Sequence, residues 1–173
     1  FMIENIKLVL PSKEYLSSYI EAINEYKVNN INTYDFYHPD ECDLFTKYED
    51  FRLGRNLPEN YVKATYLWLV DNNEFIGEIS IRHSLTESLL KFGGNIGYGI
   101  RYSAWNKGYG TEMLRLALVI AKEIGLDKVL ITCNDDNYAS VRVIEKNGGK
   151  LFDKIVNHID GKRIITRRYW RNI

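Results

Sequence analysis

The sequence has only two cysteines and three prolines among 173 residues, and neither sign of charge is in excess, with 23 Lys and Arg against 23 Asp and Glu. Each shortage excludes something. Cys42 and Cys133 form no C-x-x-C pair and share no metal-ligand spacing with His38, His83 or His158. They read as reduced thiols, so neither a disulfide framework nor a metal site is expected. A neutral chain lacks the broad positive field of nucleic-acid binders, and no nucleic-acid partner is expected. No apolar run approaches the roughly 20 residues that a membrane span requires. Nor does a basic stretch followed by an apolar one open the chain, as a secretory signal does. These absences point to a cytoplasmic protein with no membrane partner. Phe1 ahead of Met2 reads as an addition to a natural start at Met2.

Hydrophobic residues make up 45% of the chain and charged residues 27%, the balance of one packed globular domain spanning residues 1–173. With few prolines and no low-complexity tract, no linker or internal repeat divides it. Ile6–Leu10 predicts a strand, and Ser12 caps a helix reaching about Asn29, with Leu16, Tyr19, Ile20 and Ile23 at helical spacing. The stretch from Asn30 to Asn60 is irregular, with short helical pieces around Cys42–Leu53. Thr65–Val70 and Glu74–His83 alternate with period two around Asp71-Asn72-Asn73, the pattern of a β-hairpin. After a loop, Asn95–Tyr102 is a further strand. The helix from Gly108 to Glu123 carries a stripe of Met113, Leu116, Ala117, Ile120 and Ile124, and Gly125 ends it. Then come a strand at Lys128–Cys133, a short helix to Asn147, and a hairpin of Lys150–His158 and Arg163–Arg171 turning at Asp160-Gly161. This order predicts a mixed α/β domain.

Chemistry concentrates at two segments. In Trp105-Asn106-Lys107-Gly108-Tyr109-Gly110-Thr111, a strand-to-helix junction carries two glycines. Glycines let backbone N–H groups approach a ligand closely, and a helix N-terminus presents unpaired N–H groups at the positive end of its dipole. The pair suits a phosphate, although structural turn glycines explain the same residues. A Walker loop is excluded, because Lys107 precedes Gly108 and no Gly-Lys-Ser/Thr triplet follows. A dinucleotide fingerprint lacks its third glycine at Met113, yet Asp127 lies at the distance of a ribose contact, so that reading stays open. The second segment is Asn137-Tyr138-Ala139-Ser140-Val141-Arg142-Val143-Ile144-Glu145-Lys146-Asn147-Gly148-Gly149. On a helix Asn137, Ser140 and Ile144 share a face; an ordinary helix capped by Asn137 fits as well.

Together the two segments resemble the GNAT superfamily of acyl-CoA-dependent N-acetyltransferases. The first is similar to its pyrophosphate motif Q/R-x-x-G-x-G/A, with Trp105 in place of Gln or Arg. The second is similar to N-x-x-S/A-x-x-hydrophobic-x-x-K-x-G, as in ribosomal-protein N-acetyltransferases. The block Ile79–Gly110 resembles a branch of predicted acetyltransferases with an R-H-x-L…G-G-x-I-G-Y pattern, here Arg82-His83-Ser84-Leu85 and Gly93-Gly94-Asn95-Ile96-Gly97-Tyr98. The resemblance implies a mostly antiparallel sheet of about seven strands, splayed between strands 4 and 5 and flanked by about four helices. It implies acetyl-CoA as co-substrate, no metal, and an amine acceptor that is a small molecule or a protein; a homodimer is compatible with it.

The resemblance assigns cofactor contacts to Tyr98, Gly99, Ile100, Asn106, Lys107, Gly108, Tyr109, Gly110, Thr111, Asn137, Ser140 and Ile144. The pantetheine arm pairs with Tyr98–Ile100 as an added strand, and an N–H near Ile100 faces the oxyanion. Glu78 is the expected general base, on a polar strand face with Ser80 and Arg82; a solvated or ion-paired glutamate is the plain alternative, and His83 a second candidate base. Ser140 is the expected proton donor to the leaving thiolate, with Tyr138 and Tyr98 behind it, because the tyrosine common in relatives is replaced by Ile144. That replacement also fits a CoA-binding sensor without turnover.

Overall fold

Two tight turns frame the sheet. Asn72 and Asn73 both have positive φ (49° and 65°), as do Asp160 and Gly161 (50° and 76°). Two consecutive left-handed residues are what a type I′ hairpin demands, and Asn, Asp and Gly tolerate that region best. The computed structural model describes residues 3–173, so the reading of Phe1 and Met2 lies outside it.

The strands are β1 (Ile6–Val9), β2 (Ala64–Asp71), β3 (Glu74–Arg82), β4 (Ile96–Ile100), β5 (Lys128–Asn134), β6 (Lys150–Ile159) and β7 (Lys162–Asn172). They form one sheet in the order β1-β2-β3-β4-β5-β7-β6. Every neighbouring pair is antiparallel except β4 with β5. That arrangement is not the parallel sheet of a dinucleotide-binding domain.

The helices are α1 (Leu16–Val28), α2 (Leu44–Leu53), α3 (Glu87–Lys91), α4 (Tyr109–Ile124) and α5 (Tyr138–Lys146). Ser12 does cap a helical start, but of a 3-10 turn over Lys13–Tyr15 that leads into α1. The segment read as a loop after β3 contains α3, a fifth helix capped by Thr86.

Two apolar layers cover the two sheet faces. Under α4 and α5 lie Leu67, Leu69, Ile79, Ile81, Ile96 and Ile131. Under α1 and α2 the layer is aromatic: Tyr19, Tyr26, Phe36, Tyr48, Trp68 and Phe75. Tyr19 stacks on Trp68 with centroids 4.6 Å apart. On α4 the fully buried residues are Met113, Leu114, Ala117 and Ala121, with Leu116, Ile120 and Ile124 packed at the margin. The buried face is therefore rotated from the expected stripe.

Candidate active site

A gap between β4 and β5 organises the site. The two strands share a single registered pair, Ile96 with Ile131. At its apex Asn95, almost fully buried, acts as an extra rung. Its N–H donates to the Leu130 carbonyl and its side-chain oxygen accepts the Leu130 N–H, both at 2.8 Å. Beyond the apex the strands part. The Arg82 N–H donates to the Asn95 carbonyl, which fixes the alternation along β4. Gly97 and Gly99 turn their backbone groups to β3, while Ile96, Tyr98 and Ile100 turn theirs toward β5. Tyr98 and Ile100 thus face an edge on which no strand is registered.

That edge borders a cleft of about 500 Å³. Of the expected contacts, Tyr98, Gly99, Ile100, Asn106, Gly108, Tyr109, Gly110, Thr111, Asn137 and Ser140 line it. Lys107 and Ile144 do not. Lys107 is exposed just outside, and Ile144 is fully buried in the core. The physical reason is the helix phase. Val141 and Ile144 form the apolar side of α5, whereas Ala139, Val143 and Lys146, at i, i+4 and i+7, face the cleft beside Ser140. Residues not anticipated as contacts include Tyr26, Thr33, Trp105, Arg142, Val143 and Lys146. The α5 members repeat with helical spacing from Ala139, a signal that was there to read; Tyr26, on α1, gave none.

At the anion end, Gly108 adopts φ +88° as the residue before α4, a conformation that suits glycine. No side chain caps α4, so its first N–H groups point into the cleft uncapped. Arg142 and Lys146 are the cations that line it. Gly110 has a second duty. A Cβ there would lie 3.2 Å from Val143, so this glycine lets α4 and α5 approach. Tyr109 ties the loop to the β2–β3 hairpin by donating to Asp71 at 2.6 Å. That bond, with partial burial, pushes its phenol up to about 12.

Near the reacting end, the Tyr98 hydroxyl donates to Ser140 Oγ at 3.1 Å, and burial pushes the Tyr98 phenol well up. Asn137 Oδ1 accepts the Ser140 N–H at 3.2 Å, so Asn137 does cap α5, with its amide nitrogen left to the cleft. Tyr138 is exposed and lies outside the lining.

Glu78 is fully buried and does not line the cleft. Its carboxylate sits in the aromatic layer and accepts from Tyr34 (2.5 Å), Tyr48 (2.5 Å) and Trp68 Nε1 (2.9 Å). Burial raises its pKa against the pull of those three donors. Tyr34, whose hydroxyl bonds Glu78, packs its Cβ and Cγ against the cleft-lining Gly99; a Cβ on Gly99 would come within 2.5 Å of Tyr34 Cγ. Ser80, almost fully buried, shares this face. His83 lies outside the cleft, bonded to Thr65 at 2.8 Å, and burial holds its pKa down.

A profile described as an acetyltransferase (GNAT) domain matches residues 12–150. The chain belongs to the GNAT acetyltransferase family. It is accordingly an acyltransferase with acetyl-CoA as co-substrate, and the uncapped helix start, two cations and open strand edge fit that molecule. Solved structures support the fold. The microcin C7 self-immunity acetyltransferase MccE, in complex with acetyl-CoA and AMP, is 19% identical with a TM-score of 0.73 over 98% of this chain and 93% of that one. RimL, the ribosomal L7/L12 α-N-protein acetyltransferase, in complex with coenzyme A, is 17% identical with a TM-score of 0.74 over 98% and 95%. The Salmonella typhimurium enzyme that modifies the N-terminal serine of L7/L12 is 17% identical with a TM-score of 0.72 over 98% and 96%. No curated protein matches the sequence.

Proposed function

We propose that this GNAT enzyme acetylates a primary amine, on a small molecule or a protein, by direct attack in a ternary complex. The observation that carries this reading is the open Tyr98–Ile100 edge running from the uncapped α4 N-terminus to Ser140. A pantetheine arm paired with that edge brings its thioester beside Gly99 and Ile100. Orientation of the two reactants then supplies most of the acceleration. The amine nitrogen bonds to the acetyl carbon as the carbon–sulfur bond breaks. The amine's proton passes by way of the Tyr34 phenol to Glu78. The thiolate takes a proton from Ser140, which solvent in the open cleft resupplies, while the Tyr98 hydroxyl holds Ser140 in place.

An acyl-enzyme route through Cys133 is disfavoured, because burial pushes that thiol up to about 11 and leaves almost no thiolate at neutral pH. Ile144, whose identity favoured a CoA sensor, faces the core and cannot serve as evidence about the leaving group. No helix among the described residues is long and apolar enough to cross a membrane; a cytoplasmic enzyme, alone or as a homodimer, is the setting proposed.

The test is thiol release from acetyl-CoA with a panel of polyamines, amino acids, aminoglycosides and peptide N-termini. Amine-dependent release, with acetylated product found by mass spectrometry, supports the proposal. Tight CoA binding without release from any amine would sink it.

A further inference from the structure

Ile100 ends β4, and its carbonyl turns toward the β4–β5 gap, where a ligand amide would bond it. Two side chains already hold it. The Tyr26 hydroxyl, from α1, 74 residues earlier, donates at 2.7 Å. The Trp105 indole N–H, just past the strand, donates at 2.8 Å. A carbonyl oxygen has two lone pairs, so this acceptor is full. Both donors border the cleft. Their rings meet edge to face, 6.3 Å apart, and Tyr26 is buried, so neither is free to swing away. Trp105 is also the residue that departs from the pyrophosphate motif; its polar atom is directed back onto β4.

We propose that Tyr26 and Trp105 are positioning residues that fix how far along β4 the thioester travels and what its oxygen meets. The proposal deepens the acetyltransferase reading and rests on it. With the Ile100 carbonyl filled, the open edge offers the N–H and C=O of Tyr98 and the N–H of Ile100. An extended arm carrying amides pairs both ways with Tyr98. It cannot advance by one rung, because no acceptor remains at Ile100. The thioester carbonyl is then left opposite the Ile100 N–H.

The same pair acts electrostatically. An unfilled carbonyl would aim the negative end of its dipole at an oxygen that is becoming an oxyanion. Two donors fixed on it offset that field before the reaction starts, at no cost in reorganisation. The edge near the reacting carbon thereby presents a net donor.

Tyr26→Phe and Trp105→Phe each delete one donor while leaving a ring in place. Three quantities are measured: the Kd of CoA, steady-state kinetics with an accepted amine, and the carbonyl stretch of bound [1-13C]acetyl-CoA. In each variant kcat should fall by roughly tenfold, with the Kd of CoA changed by no more than about twofold. The stretch should move to higher frequency as the thioester loses polarisation. An unchanged stretch and kcat in either folded variant overturns the proposal. A parallel loss of kcat, CoA affinity and melting temperature overturns it too, by reducing the pair to a structural brace. If the wild-type protein turns over no amine, the enzymatic reading has failed, and the stretch difference still decides whether the clamp exists.

Discussion

At Ser140 the order of hydrogen bonds decides what the hydroxyl can give. Its Oγ accepts from Tyr98 and its N–H is held by Asn137, so its own hydrogen is free to turn to the departing sulfur. The thiolate of a cysteine-like thiol, with a pKa of about 8.5, is a tolerable leaving group even without help. Ser140→Ala should therefore lower kcat by about tenfold to a hundredfold with CoA affinity retained, since positioned proton donors contribute on that scale or above. Tyr98→Phe, one step further back, should cost less. Full turnover in Ser140→Ala would pass the donor role to water. Glu78 poses the opposite problem, a titratable group with no opening to solvent. Its pKa is raised by burial, so its basic form is reached above the ordinary carboxylate range. In the wild type kcat/KM should rise with pH through that raised pKa. Glu78→Gln should lose this limb, follow only the amine's own ionisation, and run about a hundredfold slower at neutral pH. A pH profile identical to wild type would leave Glu78 as a tie between Tyr34, Tyr48 and Trp68.

The element that holds the start of the loop proposed to take the phosphates is α1, through Arg101. This guanidinium, directly after β4, is buried and bonds Glu25, Ser18 and the Phe75 carbonyl. Glu25 also accepts from the N–H and hydroxyl of Ser103. Burial raises the Glu25 carboxyl, but the bonds from Arg101 and Ser103 together outweigh it and hold the pKa below its usual value. A depressed carboxylate contributes stability above its unfolded pKa and loses it as pH falls through the folded one. Stability should thus fall in that acidic window in the wild type and fall less in Glu25→Gln. At neutral pH that variant should lose about 2 kcal/mol in denaturant unfolding, below the full cost of a buried pair because Glu25 is partly exposed. Equal stability and an unchanged acid transition would remove the pair from the account. At this scale the sequence was informative where structure is local. Asn72-Asn73 and Asp160-Gly161 announced their turns, and Asn137 and Ser140 their helix start. It was silent where partners come from afar: Tyr34 and Tyr48 reach Glu78 across 44 and 30 residues, so a strand-face glutamate read as a channel residue. Helix α4 was ambiguous for another reason. With apolar Leu114, Leu118 and Val119 beside the expected stripe, two faces competed, and packing chose the one through Leu114.

The molecule as a whole carries no net charge, so attraction of a polyanionic co-substrate rests on local groups rather than on net charge. The groups proposed to take the CoA phosphates are short-range ones, the first N–H groups of α4 together with Arg142 and Lys146, which line the cleft. Both cations are exposed on α5, with the apolar side of that helix turned inward. Removing either should leave folding intact. Exposed charge pairs are worth up to about 1 kcal/mol, and bonds to a phosphate lie at the stronger end. Arg142→Ala and Lys146→Ala should each raise the Kd of CoA about three- to tenfold, with kcat at saturating acetyl-CoA nearly unchanged. Salt separates this contribution from the helix start. Charges at the mouth of an open cleft are screened over about 8–10 Å at moderate ionic strength, whereas N–H groups in direct contact with a phosphate are screened far less. Wild-type affinity should fall as salt rises, and the double variant should show a flatter dependence from a weaker starting point. Titrating CoA by calorimetry at several salt concentrations gives both slopes. Identical slopes in the two proteins would assign the phosphates to the α4 N-terminus alone.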